Sequence, residues 1–186
     1  MPQQLPHDPY ITAVIDALTA AGLAPTEWWT SDTEIDPYRD DDYAGVACML
    51  TAVLLWDDEH PALTRGPRYG IGLVWDHPAE QWQWAPRAAN GHFDRDPDFL
   101  PRLGRYSHPD TVTATVRALL AGTPLPDGCA PYWRPADSVR IAVEAWAAVE
   151  IDWPSRPRLS TNEGMTGPVP SRCVIAPMPD DPEGQR

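Results

Sequence analysis

The stretch from Tyr69 to Trp84, YGIGLVWDHPAEQWQW, constrains the fold more than any other part of the chain. Large apolar residues alternate with glycine or valine over residues 70–75, and glutamine alternates with tryptophan over residues 81–84. A period of two is typical of strands with one buried face. The intervening Asp, His, Pro and Ala favour a turn. The stretch therefore predicts a β-hairpin at the centre of the fold.

The two faces of this hairpin predict its register. If Trp75 pairs with Trp82, then Leu73 faces Trp84 and one face carries only large apolar side chains. A slip of one residue would place glutamines beside Leu73 and tryptophans over a glycine. We therefore expect the first register. Core packing is the simplest role for the tryptophans, and an aromatic platform for a sugar ring or a partner protein is the functional alternative.

The charge of the chain limits its partners. The 186 residues carry a net charge of −13, and all 14 basic residues are arginines. This balance argues against binding a nucleic-acid backbone or an anionic membrane surface, which attract basic patches. It suits a protein that binds a basic protein partner. Without lysine, every mechanism that requires a lysine is excluded.

Two features favour a cytoplasmic protein. The start, MPQQLPHDPY, lacks the basic and apolar regions of a signal peptide, and no apolar run reaches the roughly 18 residues of a membrane span. Cys48, Cys129 and Cys173 are odd in number and far apart, so we expect reduced thiols.

Three helices are predicted from periodicity and end signals. The first runs from Asp8, as N-cap, to a stop at Gly22, with Pro9 at its first position. The second covers about Pro109–Ala121, and the third about Pro135–Glu150. Each has an apolar stripe at helical spacing. The stripes are Ile11, Val14, Ile15 and Leu18; Val112, Val116 and Leu119; and Val139, Val143, Trp146 and Val149.

The remaining segments are read as strands and loops. The apolar run of residues 43–56 fits a buried strand or a buried helix, and we predict a strand from about Val46 to Trp56 because its end, LLWDDEHP, resembles LVWDHP in the hairpin. Residues 23–29 could add a short strand. Residues 31–42, with six acids, and residues 87–105, rich in Asp, Asn, Gly and Pro, are predicted loops.

Residues 67–84 and 100–122 resemble a family of small uncharacterised actinobacterial proteins. The resemblance rests on Leu73-Val74-Trp75-Asp76-His77 with Trp82, which is similar to the L-W-D-E-x-H-G-W-like hairpin of that family, and on the proline-led helix HPDTVTATVRALLAG. The turn departs from the pattern, since Pro78-Ala79-Glu80-Gln81 replaces His-Gly. The resemblance implies a fold and a bacterial cytoplasmic setting, and it implies no activity.

These elements predict one α+β domain over residues 1–153. We expect a three- to four-stranded, mainly antiparallel sheet, with one helix before it and two after it, and with the helices on one face. The other face would stay partly open as an interaction surface. Residues 154–186 hold seven prolines and little periodicity, so we predict a disordered or loosely draped tail, with residues 173–176 as a possible short strand.

The leading functional interpretation is a non-enzymatic, acidic protein-binding domain, such as an inhibitor, an immunity-like protein or an adaptor. No nucleophile elbow, phosphate loop or dinucleotide fingerprint is present, and no cofactor is expected. The contact surface would comprise the acidic loop and the turns at 57–60 and 76–80. Its predicted binding residues are Asp36, Asp40, Asp41, Asp42, Trp82 and Trp84.

Two alternatives stay open at this point. A metal-dependent hydrolase would use Asp57, His60, Asp76 and His77, because carboxylates and imidazoles ligate zinc, manganese and iron. If the two strands that precede these residues are antiparallel neighbours, however, the two pairs lie at opposite ends of the sheet. A carbohydrate-binding module would use Trp82 and Trp84.

Overall fold

The structure is a computed structural model that describes residues 4–36, 38 and 46–147. The described part contains five strands and three helices. In chain order these are α1 (Asp8–Ala20), β1 (Glu27–Glu34), β2 (Cys48–Trp56), β3 (Ile71–Asp76), β4 (Gln81–Pro86), β5 (Asp98–Gly104), α2 (Pro109–Ala121) and α3 (Ala136–Ala147). The predicted α+β class is confirmed, with one helix before the sheet and two after it.

The sheet is antiparallel throughout, and its spatial order, β1-β2-β3-β4-β5, is the order of the sequence. It has five strands where three or four were predicted. The additional strand, β5, lies inside the predicted loop 87–105. Its sequence, DFLPRLG, contains a proline and buries only Leu100 and Leu103. Proline is tolerated in β5 because β5 is an edge strand, where a residue without an N–H group need not remove a hydrogen bond between strands.

The register predicted for the hairpin is confirmed. Leu73 lies opposite Trp84 and Val74 lies opposite Gln83 in the β3–β4 ladder. Trp75 and Trp82 are both fully buried, as expected for the apolar face. The turn comprises residues 77–80, between the end of β3 and the start of β4.

The apolar run before Trp56 is a strand, as predicted, and it pairs with β1 along all eight residues of β1. The prediction that residue 31 begins a loop was wrong, because residues 31–34 belong to β1. The acids of this segment suggested a solvated loop. They are compatible with a strand because β1 is at the edge of the sheet and its side chains are largely exposed.

Helix α1 begins at Asp8, but its N-cap is His7 rather than Asp8. The Asp8 carboxylate instead accepts a hydrogen bond from the backbone N–H of Leu5 at 2.8 Å. The predicted stripe is confirmed for Ile11, Val14 and Leu18, which are fully buried.

Helix α2 has the predicted bounds. Gly122 ends it in the left-handed conformation, with φ of +62°, and a Cβ there would lie 2.4 Å from the carbonyl oxygen of Arg65. Helix α3 begins at Ala136, one residue later than predicted, and buries Val139 and Val143. Residues 148–150, which include the predicted stripe residue Val149, lie outside the described residues.

The helices pack against one face of the sheet, which we call the inner face. Its buried strand residues form one cluster with the helix stripes. The indole N–H groups within it are satisfied: Trp56 donates to the Leu23 carbonyl at 2.9 Å, Trp75 to the Arg105 carbonyl at 2.9 Å, and Trp82 to the Tyr10 hydroxyl at 3.1 Å. Buried polar groups that are paired in this way avoid the cost of desolvation.

The domain boundary at 153, the predicted tail and the predicted strand at 173–176 lie beyond the described residues and stay predictions. Among the helices of residues 4–147 that the structure describes, none is long and apolar enough to cross a membrane.

Candidate functional site

The second face of the sheet, which we call the outer face, carries a row of residues that crosses all five strands. The ladder registers place Trp29, Val53, Val74, Gln83 and Phe99 opposite one another in turn. The two ends of this row are solvent-exposed, with 42% of Trp29 and 57% of Phe99 accessible. The row is therefore a largely apolar band that ends in an exposed aromatic ring on each side.

A loop covers one end of the outer face. The ring of Phe93 lies so close to Gly72 that a Cβ at that position would be 2.2 Å from Cε1 of the ring. Leu55 and Ala85, the neighbours of Gly72 on the adjacent strands, are buried. Glycine thus permits the close approach of an aromatic side chain from the same chain.

The other end of the outer face is polar. Gln83 donates a hydrogen bond to the carboxylate of Asp76 at 3.0 Å. Burial raises the pKa of Asp76, and hydrogen bonds from Thr51 and Gln83 act in the opposite direction. Strands β1–β4 contain no arginine, and no basic residue is among the described groups that act on the pKa of Asp76.

Strand β1 forms one edge of the sheet and combines aromatic with acidic side chains. Trp28 and Trp29 lie on opposite faces of the strand and are 44% and 42% exposed. Glu27, Asp32 and Glu34 are exposed as well. The sequence contained this signal, EWWTSDTE, but the acids led us to divide the segment between a short strand and a loop.

The acidic residues predicted to bind a partner are described only in part. Asp36 is exposed two residues after β1 and accepts a hydrogen bond from the backbone N–H of Tyr38 at 3.0 Å. It therefore extends the acidic edge of β1. Asp40, Asp41 and Asp42 lie outside the described residues.

The two tryptophans predicted to bind a partner have different environments. Trp82 is fully buried, so it cannot contact a partner in the folded state, and its assignment as a binding residue was wrong. Its ring packs at 6.2 Å from that of Tyr10. Trp84 is partly buried beside a cleft of about 510 Å³, with the guanidinium of Arg95 5.5 Å from its ring. Because Trp82 is inaccessible, the pair does not form the sugar platform that the carbohydrate alternative requires.

The predicted metal site is not assembled. Strands β2 and β3 are antiparallel, with Trp56 opposite Ile71 and Thr51 opposite Asp76. At about 3.4 Å per residue, the ends of the two strands are about 17 Å apart. Asp57 and His60 therefore lie at one end of the sheet, and Asp76 and His77 at the other. Among the residues that the structure describes, no three His, Cys, Asp or Glu side chains are grouped to hold a metal ion.

A cavity of about 340 Å³ lies near the end of the sheet that contains the β3–β4 turn. The turn contributes Glu80, the chain after β5 contributes Arg105 and Tyr106, and α3 contributes Arg140 and Glu144. The remaining lining residues are Gly104, Ser107, Ala130 and Tyr132. The turn at 76–80 was predicted to belong to a contact surface, but no pattern indicated a cavity beside it.

Arg105 connects the cavity to the turn. Its guanidinium donates to the carbonyl oxygens of Pro78 and Ala79 and to the carboxylate of Glu80, the last at 3.1 Å. Only 12% of the Arg105 side chain is exposed, whereas 92% of the Glu80 side chain is exposed. The positive charge is thus largely buried and its acidic partner is solvated.

The aromatic wall of the cavity is set by backbone pairing. Ser107 forms an isolated bridge with Tyr132, and the N–H of Trp133 donates to the Tyr106 carbonyl at 2.9 Å. The rings of Tyr106 and Tyr132 consequently meet edge to face, with centroids 6.4 Å apart. Burial raises the pKa of Tyr106 to about 12, so its hydroxyl is neutral near pH 7.

His77, in the turn, is buried close to the same groups. Burial, with Arg105, lowers its pKa to about 4, and Glu144 and Glu80 act in the opposite direction. The imidazole is therefore neutral near pH 7. His60 is at the far end of the sheet, where its ring contacts the carbonyl oxygen of Ala24 at 3.1 Å.

Comparisons with known proteins add no relatives. No protein-family model matches the chain, and neither a curated protein nor a solved structure matches it. The resemblance to small actinobacterial proteins stays a prediction from the hairpin and the helix that follows it.

Proposed function

We propose that the protein is a non-enzymatic protein-binding domain that uses β1 and the adjoining outer face to bind a basic protein partner. An inhibitor, an immunity-like protein and an adaptor all fit this description. The observation that carries the proposal is the composition of the edge: Trp28 and Trp29 are exposed on a strand whose charged residues are all acidic.

Three properties of this surface support binding. Aromatic residues are enriched at protein interfaces and supply much of the binding energy. An edge strand presents unpaired backbone donors and acceptors, to which an extended segment of a partner can add. The acids Glu27, Asp32 and Glu34, together with Asp36, attract a basic partner and disfavour acidic ones.

The proposal keeps the cytoplasmic setting predicted from the sequence. Cys48 and Cys129 are free thiols in the structure, which suits a reducing compartment. Asp40, Asp41 and Asp42 stay in the proposal as further acids, on the basis of the sequence alone.

The proposal is tested by affinity purification of the tagged full chain from its native cells, followed by affinity measurements with the purified partner. Neutralising the edge with Glu27→Gln, Asp32→Asn and Glu34→Gln should weaken binding at least about tenfold and flatten its dependence on salt, because rim charges act mainly through long-range attraction. Trp29→Ala should weaken binding at any salt concentration.

The matched control removes the same amount of charge elsewhere. Asp94, Asp96 and Asp127 are exposed loop acids outside β1 and outside the predicted contact turns, and the control variant changes each to Asn. It should retain most of the affinity. Equal losses in the two triple variants would show that net charge alone attracts the partner, and unchanged binding in the edge variant would rule out β1 as the contact.

A further inference from the structure

We propose that β1 binds its partner by strand addition: an extended, basic segment of the partner pairs antiparallel with β1 and becomes the next strand of the sheet. This inference rests on the proposed function and specifies the form of the partner. It is carried by the direction of the backbone groups of β1, by the exposure of its edge, and by the positions of its acids.

The hydrogen bonds between β1 and β2 indicate which backbone groups of β1 point outward. The N–H of Ile35 donates to the Ala47 carbonyl at 2.8 Å, and this pair continues the register of the two strands. Hydrogen-bonded pairs alternate in an antiparallel ladder, so the odd-numbered residues of β1 bond to β2. The even-numbered residues therefore direct their N–H and carbonyl groups away from β2. They are Trp28, Thr30, Asp32 and Glu34.

A bond on the other side of β2 gives the same result. The N–H of His77 donates to the Leu50 carbonyl at 2.9 Å, so the even-numbered residues of β2 bond to β3 and the odd-numbered ones bond to β1. Among the described residues, no backbone group outside the sheet pairs with the even-numbered residues of β1. They form a regular row of donors and acceptors, which is what an added strand requires.

The edge is long and accessible. Strand β1 has eight residues, of which six are exposed. Edge strands are commonly blunted by proline or by a bulge, yet β1 contains no proline and keeps one register with β2 along its whole length. A segment of similar length can therefore pair with it without interruption.

The acids determine which strand can be added. Asp32 and Glu34 lie on the inner-face side of β1, opposite Leu50 and Cys48, and Glu27 lies on the outer-face side. A second copy of β1 would bring acids together without compensation, because the strand has three acids and no basic residue. Like charges on facing strands are destabilising and opposite charges are stabilising. The edge therefore disfavours self-pairing and favours a basic strand.

The spacing of the acids defines the pattern of the added strand. In an antiparallel strand, basic residues at the first and third positions would face Glu34 and Asp32, and one at the eighth position would face Glu27. The seventh position would face Trp28 and take an apolar side chain. The antiparallel direction is favoured because antiparallel pairing is slightly more stable per residue than parallel pairing.

The test uses the full chain and a synthetic eight-residue peptide with capped ends. The peptide has lysine at positions 1, 3 and 8, valine at position 5, isoleucine at position 7 and threonine elsewhere. It should bind at low salt with a Kd below about 1 mM. Amide exchange, followed by NMR, should slow at least about tenfold at the even-numbered residues of β1 and change little at the odd-numbered ones, which already bond to β2.

Backbone N-methylation of the peptide separates strand addition from attraction by side chains. Methyl groups on the nitrogens of positions 3 and 5, which would face β1, should weaken binding at least about tenfold. The matched control carries them at positions 4 and 6, whose N–H groups would point to solvent, and should bind nearly as well as the parent peptide. Equal binding of the two methylated peptides, or no binding of the parent, would overturn the proposal.

Thr30→Pro makes the same test from the protein side. The N–H of Thr30 points away from β2, so proline should leave the β1–β2 ladder intact and remove one donor from the edge. Thr30→Ala keeps the N–H and is the matched control. The proline variant should bind the peptide at least about fivefold more weakly than the alanine variant, and equal binding contradicts strand addition. If circular dichroism shows that Thr30→Pro is unfolded, the methylated peptides decide.

Two further outcomes identify other occupants or contacts. Sedimentation of the full chain should show a monomer, and a dimer that Thr30→Pro dissociates would assign the edge to a second copy of the chain and overturn the proposal. If the purified partner is lost in the charge-neutralised edge variant but binds Thr30→Pro and Thr30→Ala equally, it contacts β1 through side chains, and strand addition alone fails. If it binds all these variants as tightly as the wild type, β1 is not its contact and the proposed function fails.

Discussion

The two faces of the sheet are built from alternate residues of the same strands, yet they are constrained very differently. On the inner face, Trp56, Trp75 and Trp82 are fully buried and each indole N–H has an acceptor. On the outer face, the cross-strand row ends in exposed Trp29 and Phe99. Apolar content alone therefore does not identify the core. What distinguishes the inner face is that helices cover it and that every buried indole donor on it is paired.

The largest expected difference between the faces is in their response to loss of a tryptophan. Trp82→Ala should lower the free energy of unfolding by about 3–5 kcal/mol, because it leaves a cavity and removes the hydrogen bond to Tyr10. Trp29→Ala, the outer-face control, should lower it by less than about 1 kcal/mol. Urea unfolding followed by circular dichroism measures both, and similar losses would show that the outer face is also core.

A second comparison tests how the outer face is covered. Gly70→Ala should cost about 3 kcal/mol, because φ there is +91° and the new Cβ would lie 1.9 Å from the Trp56 carbonyl oxygen. Gly72→Ala should cost about 1–2 kcal/mol, since the obstacle is the side chain of Phe93.

The Phe93→Ala background makes this comparison specific. There, Gly72→Ala should become nearly neutral, because the ring that blocks the new methyl group is gone, whereas Gly70→Ala should cost as much as before. Chemical unfolding of the four combinations gives the coupling energy. A Gly72→Ala penalty that persists without the ring would show that Phe93 does not pack on the sheet in solution.

The smallest expected effect concerns pH. His77 has a pKa of about 4 when folded against an ordinary value of 6.5, so the unfolded chain takes up its proton first as the pH falls. The free energy of unfolding should therefore be fully maintained above about pH 6.5 and decrease by about 1–2 kcal/mol toward pH 4, after allowance for solvent screening.

His77→Gln should remove part of this decrease. Burial also lowers the pKa of His7, which acts in the same direction and leaves a residual slope. His92→Gln, at an exposed position, is the control and should leave the profile unchanged. Burial raises the pKa of Asp76, which acts in the opposite direction in both proteins. A His77→Gln profile with the same pH dependence as the wild type would therefore contradict a neutral, buried His77.

Much of the fold could be predicted because its signals are local. The period of two in residues 69–84 gave the hairpin and its register, and proline and glycine gave the bounds of α2. Strand β5 was missed because an edge strand with an exposed face and a proline has no clear alternation. The acids of β1 were predicted to lie in a loop for a similar reason. Exposed acids are compatible with an edge strand, but the position of a strand at the edge depends on the whole sheet and cannot be read from one segment.

The candidate sites were harder to predict because they depend on distant contacts. The cavity joins a turn near residue 80, a segment near residue 105 and a helix near residue 140, and no spacing in the sequence brings these together. Trp82 was correctly placed on the apolar face but wrongly assigned to binding, because alternation does not reveal which of two neighbouring tryptophans the helices cover. The four candidate metal ligands fall into two pairs, one after β2 and one at the end of β3. Because β2 and β3 are antiparallel, these pairs lie at opposite ends of the sheet.

The order of the strands also bears on how the chain acquires its structure. Each strand pairs with the one that precedes it in the sequence, so the sheet can grow one hairpin at a time during synthesis from the N-terminus. Helix α1 is different, because the Tyr10 hydroxyl bonds to a carbonyl 97 residues further along. Although it precedes the sheet in the sequence, α1 is thus among the last elements to be fixed, and we expect its amides to gain protection late in pulse-labelled refolding.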